Sequence, residues 1–304
     1  MTFFAFILIV FSAVLHASWN LVAKRSKMTL SFYTLICCTA CILWLHVQFW
    51  TPVNVLALPG KFYILLLASV FSDLVYCTGL VRAYRTMEMS TAYPMMRSLP
   101  ILLTAAVTTL LGLGAALTPL AMVGMVVVFI GCMMMPLTDF SHFNARDYFN
   151  SKWFYIFLVA CGTTGYTILD KQAQVVFSGV QEYSNLSKPV LSLTFYSCRS
   201  VCLTSLLLLS VALTPGEIKN FREVLREKKT MAIMAGLFAS MTYTTVLLAM
   251  NYVDNVSYVQ VFRQLGLIFG MAGGILILKE RCSAPKLAGV TLILAGLVMT
   301  VLKV

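Results

Sequence analysis

Charged side chains are scarce in this sequence. Asp, Glu, Lys and Arg make up 11% of its 304 residues, whereas soluble domains average about 25%. No polar stretch approaches the ~50 residues that a separate soluble domain needs. Hydrophobic residues reach 60% and the mean hydropathy is +0.88. The composition therefore excludes an ordinary soluble protein and indicates a multi-pass integral membrane protein.

Acidic and histidine side chains are also few, at eleven and three. No HExxH motif, paired carboxylates or Ser/His/Asp set occurs within helical reach, which disfavours a membrane-embedded enzyme. We therefore expect no enzyme, no cofactor and no metal site. A lipid- or isoprenoid-handling protein, either flippase or enzyme, remains the alternative to a transporter.

The nine cysteines are an odd number and lie mostly in apolar segments, which argues against a disulfide framework.

The formal net charge is +11, but the basic residues lie in short turns, so we expect no nucleic-acid partner. Fifteen Lys and Arg follow the odd-numbered predicted spans and three follow the even-numbered ones. The odd-numbered loops should therefore face the cytoplasm, with both termini on the opposite side.

Ten apolar stretches are long enough to predict spanning helices. The first lacks the basic start of a signal peptide, and we interpret it as a span. The loop 215–230 carries apolar residues at helical spacing, which predicts a short helix on the membrane surface. The predicted spans are 2–23, 31–50, 62–81, 93–111, 120–137, 153–169, 190–213, 231–252, 256–278 and 287–302.

The two halves of the sequence repeat each other. "EMSTAYPMMR" (88–97) aligns without a gap on "DNVSYVQVFR" (254–263), matching acid to acid and Arg to Arg. Two five-helix repeats are predicted, 1–137 and 153–304, joined by a polar linker at 138–152. Because five is odd, the second repeat should be inverted, a pattern typical of transporters. Glycines recur with the same spacing of seven: Gly124 and Gly131, then Gly289 and Gly296.

Those glycines predict close helix packing. The packing could join the fifth and tenth spans, or it could join two protomers. A homodimer is therefore left open.

Polar residues share one face of two repeat-equivalent helices. The first helix carries His16, Trp19 and Asn20, and the sixth carries Tyr166 and Asp170. Both faces could line a shared cavity, or they could make hydrogen bonds between helices.

Asp73 is the one carboxylate well inside a predicted span. It could carry a proton or pair with an Arg or Tyr. Asp73, His16 and Asp170 are the candidates for proton coupling.

Arg97 and Arg263 lie inside the fourth and ninth predicted spans and match each other in the repeat. Two inward guanidinium groups would suit a carboxylate or phosphate. Tyr93 and Gln260, about one turn before each, could line the same wall. The alternatives are snorkelling to headgroups, or pairing with Asp73 or Asp170. The predicted substrate-binding residues are Arg97, Arg263, Trp19, Asn20, Tyr93, Tyr166 and Gln260.

Three segments resemble the drug/metabolite transporter superfamily, specifically its ten-span EamA-type members. They are "HASWNLVAKRS" (16–26), "AYPMMRSLPILLTAA" (92–106) and "LKERCSAPKLAGVTLILAGLVM" (278–299). The first-half counterpart of the last segment, "LGLGAALTPLAMVG" (111–124), lacks its acidic residue.

The resemblance spans essentially the whole chain and implies an all-α fold of ten transmembrane helices. It implies secondary transport of a small organic metabolite through a central cavity. Such solutes include amino acids, organic acids and phosphorylated compounds. The expected partners are this solute and membrane lipid, and the expected location is the bacterial inner membrane.

Overall fold

The computed structural model describes residues 1–24, 28–87, 89–137, 139–140, 152–279 and 282–302, with the backbone alone at 20–24, 89–91 and 277–278. Within these ranges the protein is all-helical, without strands. The helices are α1 (Phe3–Lys24), α2 (Leu30–Leu45), α3 (Val47–Trp50), α4 (Gly60–Thr86), α5 (Met89–Leu110), α6 (Pro119–Met134), α7 (Trp153–Ser178), α8 (Lys188–Leu213), α9 (Glu217–Glu227), α10 (Lys229–Met250), α11 (Val256–Phe262), α12 (Leu265–Leu278) and α13 (Ala284–Val301).

The sequence marks several helix starts with hydroxyl caps. Thr118 accepts a hydrogen bond from the Ala121 amide at the start of α6, and Ser283 accepts one from the Lys286 amide at the start of α13. In both α6 and α13 a proline occupies the first turn, where its missing N–H leaves no helical hydrogen bond unmade.

In the described part of the chain, six helical segments are long and apolar enough to cross a membrane. They are Leu30–Trp50, Gly60–Thr86, Lys188–Leu213, Lys229–Met250, Val256–Leu276 and Ala284–Val301. Phe3–Trp19 and Pro119–Met134 are shorter apolar helices. Helices satisfy their own backbone hydrogen bonds, as hydrocarbon requires. The structure is therefore that of an all-α integral membrane protein.

Some predicted bounds are wrong because buried polar residues extend the helices. The sixth span was expected to end at 169, but α7 continues to Ser178. Lys171 donates to the Met250 carbonyl, and the Gln174 amide oxygen accepts from Ser192 and Asn251. Partners on other helices thus satisfy side chains that the hydropathy rule assigns to water.

Two predicted spans are interrupted. The ninth divides into α11 and α12 at Arg263 and Gln264, and the second divides at His46. The predicted linker 138–152 lies mostly outside the described residues.

The neighbours of each helix determine which residues meet at the centre. Helix α4 packs along α7, α1 along α10, and α6 along α13. Helix α5 also contacts α7, and α12 contacts α1.

Helices α6 and α13 meet through glycines at backbone distance, a contact we call the glycine seam. A Cβ added at Gly131 would lie 2.7 Å from the Gly289 carbonyl oxygen, and one added at Gly289 would lie 2.7 Å from that of Gly131. Gly124 and Gly296 face each other in the same way. Of the two predicted packings, the structure therefore has the one between the fifth and tenth predicted spans.

Helix α9 confirms the short helix predicted within 215–230. Val224 is buried and Phe221 packs against the core, whereas Ile218 and Leu225 are exposed. The helix therefore covers the end of the bundle with one apolar side.

Candidate solute site

Two cavities adjoin at the centre of the helices. The larger has a volume of about 100 Å³ and the smaller about 30 Å³. They share five lining residues, so the two form one polar and aromatic region. The shared residues are His16, Trp19, Tyr76, Tyr166 and Arg263.

Arg97 and Arg263 meet in the smaller cavity. The Arg97 Nη2 atom donates to the Arg263 carbonyl oxygen at 2.6 Å, and the Gln264 side chain donates to the Arg97 carbonyl at 3.1 Å. Among the described residues, the buried Arg97 Nε has no hydrogen-bond partner. The Arg97 guanidinium therefore points into the bundle, and the snorkelling alternative is wrong for this residue.

Arg263 is 5% exposed and lies where α11 ends. Its guanidinium makes a long contact of 3.5 Å to the Gln260 amide oxygen. Among the described residues, no carboxylate lies within 4.0 Å of the Arg97 or Arg263 guanidinium. A partly buried cation, Arg97, and a buried one, Arg263, therefore face the cavity without an anionic side chain between them.

The interruption at Arg263 is a tightened turn. The Gln264 amide bonds to the Val261 carbonyl and the Gly266 amide to the Arg263 carbonyl, both at a spacing of three residues. The Gln264 side chain also donates to the Gln260 carbonyl at 3.1 Å. These bonds satisfy the backbone where the α-helical pattern stops.

A third arginine, Arg199 on α8, lies beside the larger cavity and is 3% exposed. Its Nη2 is 2.7 Å from the Asp73 Oδ2, and its Nε is 2.9 Å from the Asp170 Oδ2. Asp73 comes from α4 and Asp170 from α7. We call these three residues the ion triad, which joins three helices through buried charges.

Hydroxyl groups complete the ion triad. Tyr33 donates to Asp73 at 3.0 Å, while Ser69 and Tyr243 both donate to Asp170. The Arg199 guanidinium carbon lies 4.9 Å from the centre of the Tyr243 ring. Each carboxylate thus has the arginine and at least one hydroxyl as partners, as buried charges require.

The structure brings most of the predicted site residues together. Six of the seven predicted substrate residues line the smaller cavity: Trp19, Tyr93, Arg97, Tyr166, Gln260 and Arg263. The side chain of Asn20 lies outside the described residues. His16 lines both cavities and accepts a hydrogen bond from the Trp19 indole at 3.0 Å.

One expectation about the acids is wrong. Asp73 is one of two carboxylates buried within the long apolar helices, because α7 continues past Asp170. Of the two alternatives given for Asp73, pairing with an Arg or Tyr agrees with its contacts to Arg199 and Tyr33. Both acids bind Arg199, so neither pairs with Arg97 or Arg263.

Sequence reasoning missed Arg199 altogether. Its signal was present in "VLSLTFYSCRSVCL" (190–203), a charged residue within an apolar run. The same rule that selected Arg97 would have found it.

No family model and no curated protein sequence matches this chain. The chain is similar in fold to a protein of known crystal structure, with a TM-score of 0.67 over 97% of this chain and 95% of that chain. The two sequences are 13% identical. This likeness concerns the fold alone.

Proposed function

We propose that this protein is a secondary transporter that carries a small organic anion by alternating access. The observation that carries the proposal is the meeting of Arg97 and Arg263 in a buried cavity, without a carboxylate partner among the described residues. The proposal agrees with the resemblance to the drug/metabolite transporter superfamily.

The charge of the central region favours an anion. Three guanidinium groups, from Arg97, Arg199 and Arg263, face two carboxylates, from Asp73 and Asp170. One positive charge is therefore in excess among the described side chains. A buried cation without a counterion is costly, so an entering anion would relieve that cost.

The size and lining of the cavity favour a compact solute. A cavity needs about 10–15 Å³ to hold one water molecule, which has one non-hydrogen atom. The larger cavity, of about 100 Å³, therefore accommodates on the order of eight non-hydrogen atoms. Aromatic rings contribute much of the wall, including Tyr33, Tyr76, Tyr166, Tyr196 and Tyr243. An amino acid or small organic acid, with a charged end and an apolar or planar body, fits this description.

The packing supports the predicted inverted repeat. In a repeated structure, the contact of α4 with α7 corresponds to that of α10 with α1. The contact of α5 with α7 likewise corresponds to that of α12 with α1. The glycine seam is reciprocal, as expected of equivalent helices in two halves.

Proton coupling through Asp73, His16 or Asp170 stays a prediction. The contact of Asp73 with Arg199 favours the structural interpretation of that carboxylate. A homodimer and a bacterial inner-membrane location also stay predictions.

Counterflow in proteoliposomes tests the proposal. A thermal-shift screen of small carboxylates, phosphates, zwitterions and cations first selects a ligand, since a molecule that binds only the folded state raises apparent stability. Labelled ligand should then exchange with unlabelled ligand inside the vesicles. Arg97→Gln and Arg263→Gln, each shown to be folded, should weaken binding roughly 10-fold to 100-fold, because each removes a charge-assisted hydrogen bond.

Arg→Lys should restore little if the contact is bidentate. Arg222→Gln on α9 is the matched control, because Arg222 is exposed and outside both cavities. Unimpaired exchange in either cavity variant would refute the anion site. Product formation without exchange would instead favour a membrane-embedded enzyme.

A further inference from the structure

A separate cavity of about 320 Å³ lies between the C-terminal ends of α4 and α8 and the start of α9. It shares no lining residue with either central cavity. Arg82 and Arg85 line it, and both are exposed.

The cavity wall on α4 changes character along the helix. Leu74, Thr78 and Arg82 follow a spacing of four residues, and Val81 and Arg85 continue the same side. From Leu74 to Arg85 the helix rises about 16 Å. One end of the cavity is therefore apolar and within the span, while the other is basic and at its edge.

The basic end retains donors for a ligand. Among the described residues, no carboxylate lies within 4.0 Å of Arg82, and Glu217 is 4.0 Å from the Arg85 Nη2. Glu217 is itself held by Ser31 at 2.6 Å and by Asn220 at 3.0 Å. Ser210 on α8 and Thr214 directly after it also line the cavity, with hydroxyl groups that donate to the carbonyls of Leu206 and Ser210.

We propose that this cavity binds an anionic phospholipid, with the phosphate on Arg82 and Arg85 and an acyl chain along Leu74, Thr78 and Val81. Basic pockets between helices at the cytoplasmic side recognise such headgroups. Helices α4 and α8 correspond to the third and seventh predicted spans, which end on the predicted cytoplasmic side. The distribution of Lys and Arg therefore predicts that this cavity lies in the cytoplasmic leaflet, which is rich in anionic lipid.

Thermal unfolding of the purified full chain tests the proposal. In neutral detergent micelles, added dioleoyl phosphatidylglycerol should raise the melting temperature saturably, and dioleoyl phosphatidylcholine should not. Arg82→Gln with Arg85→Gln should weaken the apparent affinity for phosphatidylglycerol about 25-fold, at about fivefold for each arginine. Thr78→Trp should also weaken it, because the indole fills the cavity without changing the charge.

Arg222→Gln with Arg226→Gln is the matched control, since it removes the same charge from exposed positions outside the cavity. It should change the affinity less than twofold. Equal losses in the two double variants would overturn the site in favour of a diffuse surface potential. Equal stabilisation by phosphatidylcholine, or by glycerol phosphate alone, would overturn an anionic lipid as the occupant. A cooperative thermal unfolding transition of each variant in micelles with added phosphatidylcholine shows that the variant is folded.

Discussion

Replacing Arg199 with methionine would leave two buried carboxylates without their cation. The substitution keeps most of the side-chain length and removes the charge that contacts Asp73 and Asp170 at 2.7 and 2.9 Å. Removing one partner of a buried ion pair costs about 3–5 kcal/mol, because an uncompensated charge stays behind. Two acids are affected here, so we expect the upper part of that range. Such a loss is large beside the total free energy of unfolding of a typical domain, which is about 5–15 kcal/mol.

A neutral triple variant separates charge from packing. Asp73→Asn and Asp170→Asn, added to Arg199→Met, leave amide oxygens that still accept from Tyr33 and Tyr243. Replacing a whole buried ion network is often nearly neutral. The triple variant should therefore recover most of the stability that Arg199→Met loses.

Unfolding by SDS titration of micellar protein, followed by circular dichroism, measures these differences. Arg226→Met, at an exposed position on α9, is the control and should change stability by less than about 0.5 kcal/mol. If Arg199→Met lay within about 1 kcal/mol of the parent, the ion triad would not hold α4, α7 and α8 together. If the triple variant were no more stable than Arg199→Met, the loss would come from packing rather than from unpaired charge.

Three further predictions follow from particular contacts. Gly131→Ala should destabilise the protein by about 1–3 kcal/mol, because its Cβ would lie 2.7 Å from the Gly289 carbonyl oxygen, whereas Gly270→Ala, with nothing within 4 Å, should be neutral or stabilising in the same SDS titration. Asp73→Asn should lower stability but leave the pH dependence of exchange in proteoliposomes unchanged if the carboxylate only holds Arg199; an altered pH profile would restore its role in proton coupling. Cys282, exposed in the loop before α13, should react with an impermeant maleimide only after cell lysis, while a Thr2→Cys variant lacking Cys282 should react in intact cells; the reverse pattern would invert the predicted orientation.

The sequence predicted best those polar residues that interrupt an apolar span and also recur at the equivalent position of the other repeat. Arg97 and Arg263 stood out because each interrupts a span and each matches the other in the repeat. Tyr93, Tyr166 and Gln260 followed from helical spacing, and all three line the smaller cavity.

What could not be predicted depends on contacts between distant helices. Asp170 was assigned to the polar face of the sixth helix, but the predicted span ended one residue before it because hydropathy falls there. Arg199, Ser69 and Tyr243 satisfy this carboxylate from other helices. The division at Arg263 has no proline or glycine signal at that position, and it depends partly on a bond from Gln264 to the Arg97 carbonyl on α5. Only the assembled bundle supplies such partners.

The glycine seam limits how the protein can move. Its two contacts lie seven residues apart on each helix, Gly124 with Gly296 and Gly131 with Gly289. If α6 slid along α13, residues with side chains would take the place of the glycines opposite the backbone oxygens. The steric clash could not be relieved by a rotamer change, because backbone atoms cannot move aside. The two helices should therefore move as one rigid body. Neither contributes a lining residue to the central cavities. Under the proposed transport function, a change of access would therefore come from the other helices, hinging against this pair.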